Sequence, residues 1–296
     1  MIKPLLTSLT LAVLACAPAS AGVLYATDNF GLYTLNASDG AATQVGTLFA
    51  QTSGQNVIDM ASAGSTLYGL VQQQVGTVLQ TRIAQINTQT AAMTDLTPAT
   101  GMTGIVTTGG PARRIETIAY NTVNNTMYGI NNGPDRSLYT IDLGTGAATR
   151  LFGLTSAANL VYRSLGFTDT GRLFTSLADN LGAIVYEIDL VTQSLTQVSS
   201  AGSSLLGDLA FDRDLGQMLA AGLVRDSAGN GTATLFSVDA GQPNLTTRGS
   251  APGVLAWAGL AVLPGSQAVP EPGTLALVAL AFAGLGATRR GRATQG

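Results

Sequence analysis

The feature that most constrains this chain is a short segment that returns five times. Leu32-Tyr33-Thr34-Leu35-Asn36, Ile83-Ala84-Gln85-Ile86-Asn87, Leu138-Tyr139-Thr140-Ile141-Asp142, Val185-Tyr186-Glu187-Ile188-Asp189 and Leu235-Phe236-Ser237-Val238-Asp239 start 51, 55, 47 and 50 residues apart. Each reads as an alternating strand, and each ends in Asn or Asp, whose side chain can accept from the backbone of a following turn. Seven residues after that Asn or Asp stands a Thr in every copy: Thr43, Thr94, Thr149, Thr196 and Thr246. The stretch between, such as Gly144-Thr145-Gly146, is turn-like, so each copy predicts a hairpin to a second strand.

Two more strands precede each hairpin. One reads Leu24-Tyr25-Ala26, Leu67-Tyr68-Gly69, Met127-Tyr128-Gly129, Leu173-Phe174-Thr175 and Met218-Leu219-Ala220. Before it come Met60-Ala61-Ser62, Ile118-Ala119-Tyr120, Leu165-Gly166-Phe167 and Leu209-Ala210-Phe211. The first unit lacks this leading strand, and a matching segment, Leu260-Ala261-Val262, stands at the far end. Four strands in about 50 residues is the size of a propeller blade, and a displaced strand lets the end of the chain complete its beginning, removing open sheet edges. The expectation is an all-β fold, a five-bladed β-propeller over residues 22–264 with its first blade closed by the C-terminal strand. Two alternatives stay open at this point: an open β-sandwich, and a sixth blade hidden in Pro98 to Gly110. The units resemble kelch-like, WD-repeat-like and quinoprotein-like bacterial propellers at the level of pattern, but without a Gly-Gly pair in each blade or a Trp-Asp dipeptide.

The two ends read as addresses. Lys3, an apolar run from Leu5 to Ala15 and the small residues Ala19-Ser20-Ala21 form a secretory signal over 1–21, cleaved after Ala21, which implies the Sec machinery and a signal peptidase. Val13-Leu14-Ala15-Cys16 resembles a lipoprotein box, with lipidation of Cys16 as the alternative outcome. At the other end a linker, 265–272, contains Pro270-Glu271-Pro272, whose prolines fix an extended backbone. Residues 273–296 hold an uncharged stretch that predicts a short membrane helix, then the cluster Arg289, Arg290 and Arg292, which belongs on the cytoplasmic side and leaves the propeller facing outward. This order resembles the PEP-CTERM sorting signal of Gram-negative bacteria. The resemblance implies recognition by an exosortase, a membrane-tethered precursor facing the periplasm, and delivery to the cell surface or to an exopolysaccharide or biofilm matrix. Pro270, Glu271 and Pro272 are then acted upon.

Composition narrows the chemistry. The chain has no His, and its one Cys lies in the leader, so triads built on His or Cys and His/Cys metal sites are excluded for the propeller. Residues 22–264 carry ten arginines and no lysine against sixteen carboxylates, a net charge of −6. Scattered single arginines on an acidic chain give no footprint for nucleic acid.

Candidate catalytic groups are Asp59, Glu116 and Asp208, which stand one or two residues before the leading-strand apolar residue in three units, at the mouth of the expected channel. A carboxyl pair at suitable separation supports glycoside hydrolysis, whereas an acidic start to such a strand is equally ordinary. Asp212, Asp214 and Asp226 sit in oxygen-rich turns and are candidate Ca²⁺ ligands, although the closing Glu of an EF-type loop is missing. Trp257, beside the closing strand, is expected to pack the ring shut, and Tyr33, Tyr139, Tyr186 and Phe236 to form core between blades. Asn124 and Asn244 begin glycosylation sequons of the kind that arise by coincidence in a bacterial chain. No cofactor is implied. The functional expectation is a non-enzymatic surface or matrix propeller binding carbohydrate or an envelope protein, with a polysaccharide hydrolase and a purely structural matrix protein as alternatives.

Overall fold

In the computed structural model the described residues are 22–75, 78–96, 106–107, 114–133, 136–154, 161–178, 182–200, 204–238 and 245–264. The signal segment, the linker and the sorting helix lie outside them, and among the described residues no helix is long and apolar enough to cross a membrane.

Residues 22–264 form one compact unit of five sheets, each built on four antiparallel strands. Blade two is β4 (Gln55–Ala63), β5 (Thr66–Val75), β6 (Val78–Ile86) and β7 (Met93–Asp95). Blade three is β9 (Thr117–Asn121), β10 (Thr126–Asn131), β11 (Ser137–Ile141) and β12 (Ala147–Gly153). Blade four is β13 (Val161–Phe167), β14 (Leu173–Ala178), β15 (Ala183–Asp189) and β16 (Ser194–Ser200). Blade five is β17 (Leu205–Asp212), β18 (Gln217–Arg225), β19 (Gly231–Val238) and β20 (Thr246–Ala251). Blade one joins the two ends of the unit: β1 (Val23–Thr27), β2 (Gly31–Leu35) and β3 (Ala42–Thr47) are completed by β21 (Gly259–Leu263), which pairs with β1 from Val23↔Leu263 to Thr27↔Gly259.

The five leading strands touch in a closed cycle, β21 to β4, β9, β13, β17 and back to β21. This is the five-bladed β-propeller expected from the repeat. Among the described residues, the stretch 98–110 supplies no sixth blade; its described part, β8 (Val106–Thr107), adds a short parallel strand to the outer edge of blade three.

The sequence repeat is also a repeat of register. Thr43, Thr94, Thr149, Thr196 and Thr246 each pair with the third residue of the five-residue segment in their own blade: Thr34, Gln85, Thr140, Glu187 and Ser237. The Asn or Asp that ends the segment caps the turn between. Asn87 Oδ1 accepts from the Gln89 and Thr90 amides, Asp142 Oδ1 from Gly144 and Thr145, and Asp189 Oδ1 from Val191 and Thr192, at 2.7 to 3.1 Å. Asn36 does the same for Ser38, while Asp239 lies outside the described residues.

Apolar burial is divided among the five seams between blades. Leu32 and Val57 meet between blades one and two, Leu70 and Ile118 between two and three, Leu138 and Leu165 between three and four, and Val185 and Leu209 between four and five. The last seam packs Leu24 and Leu260 against Leu219 and Leu235, with Trp257 2% exposed and edge-on to Tyr33 at 5.3 Å between ring centroids. Trp257 therefore helps shut the ring, as its position beside the closing strand predicts. Tyr139 and Phe236 are buried in seams, and Tyr33 and Tyr186 pack there half-buried.

Candidate site at the ring centre

The residue just before the leading-strand apolar position occupies one place in all five blades: Gly259, Asp59, Thr117, Ser164 and Asp208, opposite Thr27, Leu70, Ile130, Ser176 and Ala221. In blades two, four and five the register shifts immediately before it, between Val57 and Asp59, Tyr162 and Ser164, and Leu206 and Asp208. Such a bulge re-aims the side chain that follows it.

Asp59 and Asp208 are both 0% exposed. Asp59 Oδ1 accepts from the Met60 amide and Oδ2 from the Ile118 amide of blade three, each at 2.7 Å. Asp208 repeats this pattern, with Leu209 on Oδ1 and Leu260 of blade one on Oδ2, again at 2.7 Å. Each carboxyl thus ties its own blade to the next. Blades two and five flank blade one, where the equivalent residue is Gly259, and a Cβ on Gly259 would meet the Met60 nitrogen at 2.9 Å and the Asp59 carbonyl carbon at 3.0 Å. The Asp59 and Asp208 carboxyls lie close enough to interact directly with each other.

Two carboxyls in that contact hold a proton between them. Burial pushes Asp59 up from its ordinary 3.8 to about 6, and bonds from Asp208, Thr117, Ile118 and Met60 limit the rise. Asp208 is raised well above the ordinary range, first by burial and then by the charge on Asp59. The Thr117 hydroxyl, buried and without a partner of full hydrogen-bond geometry, faces Asp59 closely enough to lower its pKa. Ser164 is satisfied within its own blade, its Oγ bonding Ser176 Oγ at 2.7 Å.

Glu116 does not join this pair. It precedes the equivalent position by one residue and bonds Arg114, whose Nε lies 2.9 Å away, and Asn132. The blade-three member is Thr117, and aligning Met60, Ile118, Leu165, Leu209 and Leu260 finds it in the sequence.

Two of the three turn aspartates serve their own turns. Asp212 Oδ1 accepts from the Asp214 and Leu215 amides, and Asp226 Oδ1 from Ala228 and Asn230. Asp214 bonds the amide of Gly22, the first described residue. Among the described residues no three acidic side chains converge as for a metal. Asn124 bonds the Tyr128 hydroxyl at 2.8 Å, and Asn244 lies outside the described residues. A separate cavity of about 320 Å³ opens between blades one and two, lined by Thr47, Phe49, Thr90, Met93 and the Arg82–Asp95 ion pair.

These features define a class: an all-β, five-bladed propeller latched by its own C-terminal strand and tied at its axis by a buried acid pair. What distinguishes this member is the tail, where the family model described as the PEP-CTERM protein-sorting motif matches residues 268–290. The chain carries that motif, which implies export and processing by an exosortase.

No curated protein matches the chain. Among solved structures it is similar to a chain of a nidogen/laminin complex, at 11% identity and a TM-score of 0.49, covering 83% of this chain and 99% of that one. It is also similar to TolB from Acinetobacter baumannii at 16% identity and 0.42, covering 81% of this chain and 55% of TolB, so it spans about half of TolB's length. A third is the calcium-binding protein regucalcin from Agrobacterium tumefaciens, at 13% and 0.43, covering 78% and 76%.

Proposed function

We propose that this protein is a surface or matrix propeller, released by an exosortase, that binds carbohydrate or an envelope protein without turning it over. The reading rests on one observation, the sorting motif at residues 268–290, which begins five residues after the strand that closes the ring. A module with such an address works where exopolysaccharide is abundant, and a propeller offers it rigid faces rather than a prescribed chemistry.

Two features support a non-catalytic role. Hydrolysis of a glycosidic bond needs two carboxyls that both reach the scissile bond. Here Asp59 and Asp208 are fully buried, and all four of their oxygens accept backbone amides. The cavity between blades one and two instead offers a half-buried aromatic ring beside an ion pair and hydroxyls, a set suited to holding a sugar or a peptide.

The test is the intact mass of the protein from its host's envelope and matrix, followed by a binding isotherm on the host's own exopolysaccharide. Ends at Gly22 and near residues 270–273 with saturable, turnover-free binding are expected. A chain running through Gly296 overturns the sorting part of the reading, and turnover abolished by Asp59→Asn overturns the non-catalytic part.

A further inference from the structure

The first residue after the expected leader makes one contact that is long-range in sequence. Gly22, the first described residue, donates its backbone N–H to Asp214 Oδ2 in the turn between β17 and β18, 192 positions away in sequence. Gly22 sits against the closing strand: a Cβ added to it would lie 3.1 Å from the Leu263 carbonyl oxygen, 3.1 Å from Val262 Cγ1 and 3.3 Å from Asp214 Oδ2. Three pieces of the molecule meet there, namely the entry to β1, the end of β21 and the first turn of blade five.

In the precursor this nitrogen is an amide. Cleavage after Ala21, the site read from Ala19-Ser20-Ala21, turns it into an α-ammonium. From the nitrogen's position we infer that Asp214 is a receptor carboxylate for the new N-terminus, so that removal of the leader converts a neutral contact into an ion pair at the closing seam. The inference rests on the export reading, through its cleavage site.

The surroundings suit that role. On β1, β21 and the turn, the charged residues are Asp212, Arg213 and Asp214. Asp212 is occupied by the amides of its own turn, and the Arg213 guanidinium bonds Thr122 Oγ1 at 2.7 Å on the turn of blade three. Asp214 has its Oδ2 on the Gly22 nitrogen, and the absence of a side chain on Gly22 permits the approach. Capture of a chain's own amino terminus uses the chemistry by which proteins hold peptide N-termini.

The ion pair is exposed, so its signature is small and specific. An α-amino group ordinarily titrates at about 7.7–8.0, and an exposed partner carboxylate raises that by roughly 0.2–0.7 unit. The raised pKa belongs to the folded state, so the added stability is full below about pH 7.7 and is lost as pH rises through the folded value.

The experiment takes protein processed in an exporting host and reads its N-terminus by mass. The pH profile of α-amine acylation is then compared in the wild type and Asp214→Asn, beside thermal unfolding of both and of an N-acetylated wild type. The expected result is Gly22 at the N-terminus, a raised α-amine pKa that returns to the ordinary value in Asp214→Asn, and a Tm advantage of the free amine that vanishes above about pH 9. A Gly22 terminus with an ordinary pKa unchanged by Asp214→Asn overturns the inference and leaves the export reading standing. A terminus other than Gly22 overturns the cleavage site and the inference together.

Discussion

Replacing Asp208 with Asn will remove a pH dependence of stability that the buried acid pair builds into the ring. The Asp59 carboxyl moves from 3.8 to about 6 on folding, with burial the largest cause. At about 1.4 kcal/mol per unit, that shift corresponds to about 3 kcal/mol. The folded state binds this proton more tightly than the unfolded chain does. The stabilisation is therefore complete below about pH 3.8 and lost as pH rises through about 6, and Asp208, raised further, extends the loss to higher pH. Glu187, Asp189 and Asp226 have lowered values, so their stabilisation is present above their unfolded pKa and lost in acid. They are common to both proteins, as is the part of the Asp59 shift that burial causes, and cancel in the difference. The carboxamide introduced by Asp208→Asn keeps one acceptor for the Leu209 and Leu260 amides and strands the other, a cost of about 1–3 kcal/mol that does not vary with pH. Urea unfolding from pH 4 to 9 should show the stability gap between wild type and Asp208→Asn largest at the acid end and shrinking as pH rises, because only the wild type carries the raised Asp208 carboxyl. A gap that stays constant, or widens with pH, refutes the shared proton.

Three further perturbations test the architecture. Gly259→Val places a side chain against the Met60 and Asp59 backbone and should cost several kcal/mol, seen as a large drop in Tm; an unchanged Tm would show that the acid pair needs no gap above it. Asp142→Ala removes the acceptor for two turn amides and should lower the denaturant midpoint, with Asn87→Ala and Asp189→Ala lowering it by a similar amount; unequal losses argue against one turn design in three blades. Deleting Leu260–Val262 removes the pairing with β1 and should abolish the single cooperative transition, whereas full retention contradicts closure by this strand.

The blades are legible because each repeats a full set of local instructions: an alternating strand, an Asn or Asp cap and a Thr in fixed register. The displaced leading strand is legible too, since Leu260-Ala261-Val262 can pair only with the unit that lacks one. The acid pair is half legible. Asp59 and Asp208 stand out by type and place, but they come from different blades, and no spacing within one blade encodes a distance across the ring. Glu116 misleads by one residue because its carboxyl draws more notice than the hydroxyl of Thr117, which holds the equivalent position. The bulges before Asp59, Ser164 and Asp208 are hidden for a related reason: an inserted residue breaks the period by which strands are recognised.

The pairing of Val23 with Leu263 places the entry and exit of the domain side by side at one end of an antiparallel pair. In mechanical terms this is a zipper with both tabs at the same end. Tension applied between the two termini meets the Val23–Leu263 pair first and works inward to Thr27–Gly259, one pair at a time, instead of shearing all five together. Pulling on the two ends of residues 22–264 therefore opens the ring at the very pair that closes it, one rung at a time.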